Sequence, residues 1–183
     1  MILALSLPGP AAGDALCDDL WLASAATRVA MGECLDDPRT EAVFGVYACR
    51  SDPTAPKPGD AARLDRIGAW AAEMGCDLDA MTGPLDLRDL TPRLALDTQP
   101  IRIDTEHACI GWLGPDLPLR AGPEDTARQI GTLSKGDAFA LLYMPEAGGW
   151  EYVEIGGGGP GLLAAGWVRL PDPVGEMCEM AAG

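Results

Sequence analysis

Along residues 61–74 the apolar positions repeat with a helical period. Leu64, Ile67 and Ala71 fall on one stripe, and Gly75 ends the run, which predicts an amphipathic helix. A second helix is predicted over residues 39–48, behind the turn Asp36-Asp37-Pro38. Pro38 suits a first helical position and Asp37 the cap, with Val43, Phe44, Val46 and Tyr47 turned to the core. Upstream, L-A-S-A-A-T-R-V-A-M predicts a helix capped by Asp18 or Asp19 and stopped at Gly32. Leu20, Ala23, Thr27 and Ala30 share its inner face, flanked by Trp21 and Met31. Between the second and third helices, S-D-P-T-A-P-K-P-G-D is a loop, and Leu85, Leu87, Leu90 and Leu94 pack in short turns further on.

After residue 98 the period shortens. Residues 99–104 predict a short strand, 106–114 a link, and 138–144 and 150–155 β-prone runs, each preceded by turn residues. In the last of these runs alternation puts Trp150, Tyr152 and Glu154 on one face, with Glu151, Val153 and Ile155 on the other.

Four blocks in this half form a pattern: L-P-L-R-A-G-P (117–123), I-G-T-L-S-K-G-D (130–137), G-G-W-E-Y-V (148–153) and G-W-V (166–168). The pattern resembles the bacterial SH3-like domain, a small antiparallel β-barrel used by many secreted and envelope proteins. Pro118-Leu119-Arg120 stands where that family often has Asn-Val-Arg, and G-G-G-G-P-G-L-L-A-A (156–165) is longer than its usual hairpin. Four successive glycines predict a protruding loop there. The first half is similar to a family of secreted bacterial proteins of unknown function that pairs a cysteine-containing helical segment with such a barrel. Cys17-Asp18-Asp19-Leu20-Trp21, Gly32-x-Cys34, Val43-Phe44 with Cys49, Gly75-Cys76 and Ala108-Cys109-Ile110-Gly111-Trp112 carry that likeness. Ser24-Ala25 and Glu33 depart from it, and the likeness identifies neither ligand nor activity.

The expected architecture is therefore α+β. Residues 1–13 are read as a signal-peptide remnant, with Ala11 and Gly13 at the −3 and −1 positions. Residues 14–98 form a disulfide-stapled helical domain, 99–171 an SH3-like β-barrel and 172–183 a C-terminal tail. Six cysteines, an even number, spread out and without a C-x-x-C pair, point to disulfides in an oxidising periplasmic or extracellular compartment rather than to zinc. Six cysteines allow fifteen connectivities. The arrangement favoured is Cys34–Cys49 around the second helix, Cys17–Cys76 from first helix to third, and Cys109–Cys178 by elimination.

The formal charge of −15, with 9 acids and 4 bases in residues 104–170, disfavours nucleic acid and anionic lipid alike. No run approaches the ~18 apolar residues that span a bilayer. His107 is the single histidine, which leaves no imidazole cluster for a metal, and no cofactor motif is present. The acid pairs Asp77/Asp79, Asp86/Asp89 and Glu124/Asp125 read as solvated loop carboxylates rather than as a catalytic dyad. Recognition is what remains. Tyr143, Tyr152, Trp150 and Trp167 are the candidate ligand-binding residues, with Tyr143, Tyr152 and the 156–165 loop expected to make the contact surface. The expectation is an exported, non-enzymatic binding or scaffolding protein that recognises peptidoglycan or an envelope protein. A wall-hydrolase accessory or secreted inhibitor subunit is the alternative.

Overall fold

Helix-forming residues dominate the first half and short β-prone runs the second, and the structure divides accordingly. The computed structural model describes residues 12–45, 59–87, 89–156 and 161–183. Two compact units result, residues 1–87 and 88–183.

In the first unit, α1 (Ala12–Ala30) packs against α3 (Asp60–Met74). Leu20, Trp21, Leu22, Ala23 and Ala25 of α1 and Ile67 and Ala71 of α3 are buried. The disulfide Cys17–Cys76 ties α1 to the residue beyond the end of α3. α1 begins ahead of the predicted cap, so Asp18 and Asp19 lie within the helix and are buried. Asp18 is held there by an ion pair with Arg39, and it also accepts from the Asp86 amide at 3.3 Å. A buried carboxylate needs such partners.

Helix α2 (Pro38–Phe44) starts as its sequence dictates. The Asp37 carboxylate accepts from the amides of Arg39 and Thr40, and Pro38 needs no such bond. Gly45, at φ 77°, ends it. The expected continuation to residue 48 lies outside the described residues, as do Cys49 and residues 1–11. Cys34 is disulfide-bonded.

The second unit opens with a short helix, α4 (Leu90–Arg93), followed, among the described residues, by seven antiparallel strands. These are β1 (Arg102–Trp112), β2 (Leu117–Arg120), β3 (Gln129–Leu133), β4 (Phe139–Tyr143), β5 (Trp150–Ile155), β6 (Ala164–Arg169) and β7 (Cys178–Ala182). Their order is β3-β2-β6-β5-β4-β1-β7. The sheet is open, with β3 and β7 at its edges, where a small closed barrel was expected.

The difference arises at β1 and β7. A short strand and a link were predicted over 99–114, but one eleven-residue strand forms. It pairs with β4 on one side and β7 on the other, with a register shift between Arg102 and His107. The expected C-terminal tail is thereby recruited into the sheet, preceded by a 3-10 turn (Val174–Met177), and the Cys109–Cys178 disulfide joins the two strands. Cys17–Cys76 and Cys109–Cys178 are two of the three pairings drawn from the sequence. The third, Cys34–Cys49, falls partly outside the described residues.

Both faces of the central strands are covered. Trp112, Leu119, Leu133, Phe139, Val153, Ile155 and Val168 form one core. Leu142, Tyr143, Trp150, Tyr152, Ala165 and Trp167 form the other. The β5 side chains separate between these two clusters as period-2 alternation requires. No helix among the described residues is long and apolar enough to cross a membrane.

Candidate functional site

The four aromatic side chains singled out in the sequence come together on one face of the sheet, and all four are buried. Tyr143 of β4 is 3% exposed, and Trp150 and Tyr152 of β5 and Trp167 of β6 are no more so. Tyr143 meets Tyr152 edge to face with ring centres 4.9 Å apart, and Tyr152 meets Trp167 at 5.6 Å. This is the preferred geometry for aromatic quadrupoles. The Trp167 indole donates to the Thr98 carbonyl at 2.8 Å, which satisfies its polar edge inside the core. At the other end the Arg169 guanidinium covers the Trp150 ring at 4.8 Å. These residues therefore brace the sheet; they do not form an exposed contact face.

Beside the aromatic row lies a charged network that the sequence did not mark as one. The Tyr143 hydroxyl is 2.6 Å from Glu154 Oε1 and 3.2 Å from Asp89 Oδ2. Asp89, Glu154 and Arg93 are 8%, 5% and 0% exposed. Arg93 of α4 stands 3.8 Å from Asp89 and donates through Nε to Gln99 Oε1 at 3.2 Å. Gln99 answers by donating to the Arg93 carbonyl at 2.7 Å. Burial holds the Glu154 carboxyl above the ordinary glutamate range, and the charge of Asp89 adds to this; Tyr143 and Arg102 act against it. Burial alone raises Glu151, three residues earlier on β5.

The sequence places Asp89 with Asp86 among the solvated loop acids. Asp89 is buried because α4 folds over the aromatic face, a contact remote in sequence. Glu154 did carry a signal, since alternation already placed it on the face of Trp150 and Tyr152. An acid on an aromatic inner face calls for a partner. Chemically, two carboxylates sharing a phenolic donor can hold a proton between them.

His107 is exposed on β1. Among the described residues no three His, Cys, Asp or Glu side chains converge as a metal site. Of the 156–165 loop, residues 157–160 lie outside the described residues, and Leu163 on its return is 79% exposed. The backbone closes the loop's base, where the Leu163 amide donates to the Ile155 carbonyl at 3.0 Å. Ile110 and Met180, register partners on β1 and β7, are also exposed.

Comparison with known families places residues 75–183 within the domain of unknown function DUF4453. No curated protein and no solved structure matches the chain.

Proposed function

We propose that this chain, which belongs to the DUF4453 family, is an exported, non-enzymatic binding or scaffolding protein. In this reading its C-terminal unit is an elaborated SH3-like module that recognises cell-wall material or an envelope protein. The five strands from β2 to β6 would be the SH3-like part, and β1 and β7 an addition along the flank of β4.

The observation that carries the proposal is that each unit holds a disulfide, Cys17–Cys76 in the first and Cys109–Cys178 in the second. Such bonds persist in an oxidising compartment. A stapled sheet whose aromatics are all spent on internal packing is suited to presenting a rigid surface. The contact surface then shifts from the tyrosines to the base of the β5–β6 connection, where Leu163 stands out at 79% exposure. The acidity of the chain favours a largely uncharged contact, which salt would weaken little.

The test is sedimentation of the full chain with purified peptidoglycan at low and high salt, comparing wild type with Leu163→Ser. Salt-insensitive co-sedimentation that Leu163→Ser diminishes supports the reading. Absence of any wall-bound fraction defeats the cell-wall half of it and leaves an envelope protein as the target. Tyr143→Ala and Tyr152→Ala are unsuitable probes, because both would open the core.

A further inference from the structure

The N-terminal unit holds a partly open cavity of about 190 Å³ between α1, α2 and the residues after Cys76. Its apolar walls are Trp21, Leu35, Leu78 and Met81. Arg39, on the same lining, is 4% exposed. One of its guanidinium nitrogens, Nη2, is paired with Asp18, and its plane lies 4.4 Å from the centre of the Trp21 ring. Its other two nitrogens, Nε and Nη1, are buried and have no hydrogen-bond partner among the described residues. Leaving a buried donor without an acceptor is costly, and more so for a charged group. An acceptor is missing, and the cavity that Arg39 lines is where it would enter.

Charge decides which acceptor. Arg28 and Asp79 lie on the lining 3.9 Å apart, and Arg28 is already engaged by Glu33 at 2.5 Å. Asp37 also lines the cavity. The two arginines thus face four carboxylates, those of Asp18, Glu33, Asp37 and Asp79, and an anion would enter a field that is negative overall. A neutral acceptor avoids that repulsion. The carbonyl of a secondary amide is a strong one, and Asp79 with the hydroxyls of Ser24 and Thr82 stands on the same walls to receive the amide N–H. Size agrees, since a dry cavity of ~150 Å³ accepts one benzene-sized molecule.

We infer that this cavity is a binding site for a small neutral N-acyl group, with its carbonyl on Arg39 and its apolar part against Trp21. That chemistry has two sources, the acetamido group of an amino sugar and the backbone amide of a peptide. The site lies in the other unit from the proposed wall-binding surface and stands or falls without it.

The experiment is an NMR titration of the isotopically labelled full chain. The probes are N-acetylglucosamine and N-acetylalanine N-methylamide, with glucose and acetate as controls. Saturable shifts at residues 21–28, 35–40 and 78–83 with either amide, and none with the controls, are the expected result. The amide that saturates identifies the source. Ser24→Leu and Thr82→Leu intrude on the cavity without touching the Arg39–Asp18 pair. Each should weaken binding by roughly tenfold or more, with the melting temperature held near that of wild type. If neither amide saturates, the cavity holds water alone and the inference is overturned. Equal binding of acetate, or undiminished binding by a folded occluding variant, overturns it as well.

Discussion

Replacing Glu154 by glutamine should change the pH dependence of stability in a direction that the structure fixes. Glu154 is 5% exposed on β5, between the Tyr143 hydroxyl and Asp89. The groups that face it are Asp89 before α4, Arg102 on β1 and Tyr143 on β4, with Arg93 of α4 behind Asp89. Burial and Asp89 raise its pKa above the ordinary 4.5. Below that ordinary value both folded and unfolded chains carry the proton. Between the ordinary and the raised value only the folded chain does, so stability falls as pH rises, and above the raised value the loss is constant. Within the window the slope approaches about 1.4 kcal/mol per pH unit. The side-chain amide of the Glu154→Gln variant would keep the geometry, donating to Asp89 and accepting from Tyr143, without a charge to desolvate. The variant should therefore match wild type at the acidic end and exceed its stability at neutral pH. Urea denaturation of both proteins between about pH 4 and 8 measures this. Taking the difference between them cancels Glu151, which is also raised. A difference that does not vary with pH, or that shrinks as pH rises, would refute the reasoning.

Five further outcomes follow from packing and pairing. Cys109→Ala with Cys178→Ala releases a link between residues 69 apart, and chain entropy alone sets the expected loss near ~4 kcal/mol, readable by thermal melting. Asp18→Asn strands the buried Arg39 charge and should cost the N-terminal unit about 3–5 kcal/mol in chemical denaturation. Asp18→Leu with Arg39→Leu should cost less than Asp18→Asn alone, because no charge is left unpaired. A Cβ at Gly166 would sit 2.9 Å from Leu119 Cβ and 3.2 Å from the Arg120 carbonyl, so Gly166→Ala should destabilise by about 1–3 kcal/mol. Gly68→Ala, which meets nothing within 4 Å on α3, should stabilise by roughly 0.5–1 kcal/mol in the same melts.

The sequence by itself determined what depends on neighbours in the chain. The cap at Asp37, the stop at Gly75, the α3 stripe through Ile67 and Ala71 and the two faces of β5 are consequences of local hydrogen bonding and of periods 3.6 and 2. The even, dispersed cysteines were legible as staples for the same reason, since spacing alone speaks against a metal site. Tertiary structure decided whatever depended on which distant segment arrives. Asp18 and Asp19 have strong cap character, yet α1 runs through them because Arg39, 21 residues away, pairs with Asp18. Residues 172–183 carry no strong strand signal and become β7 only because β1 offers an open edge and Cys109 a covalent anchor. Tyr143 and Tyr152 read as binding aromatics, but Arg93 lies over the Tyr143 ring and Tyr152 is packed between Tyr143 and Trp167. Residue type reports the capacity for contact, but burial depends on the surface that packs against it. The buried meeting of Asp89 with Glu154, and the unpartnered nitrogens of Arg39 beside a cavity, likewise exist only once separate segments are brought to one place.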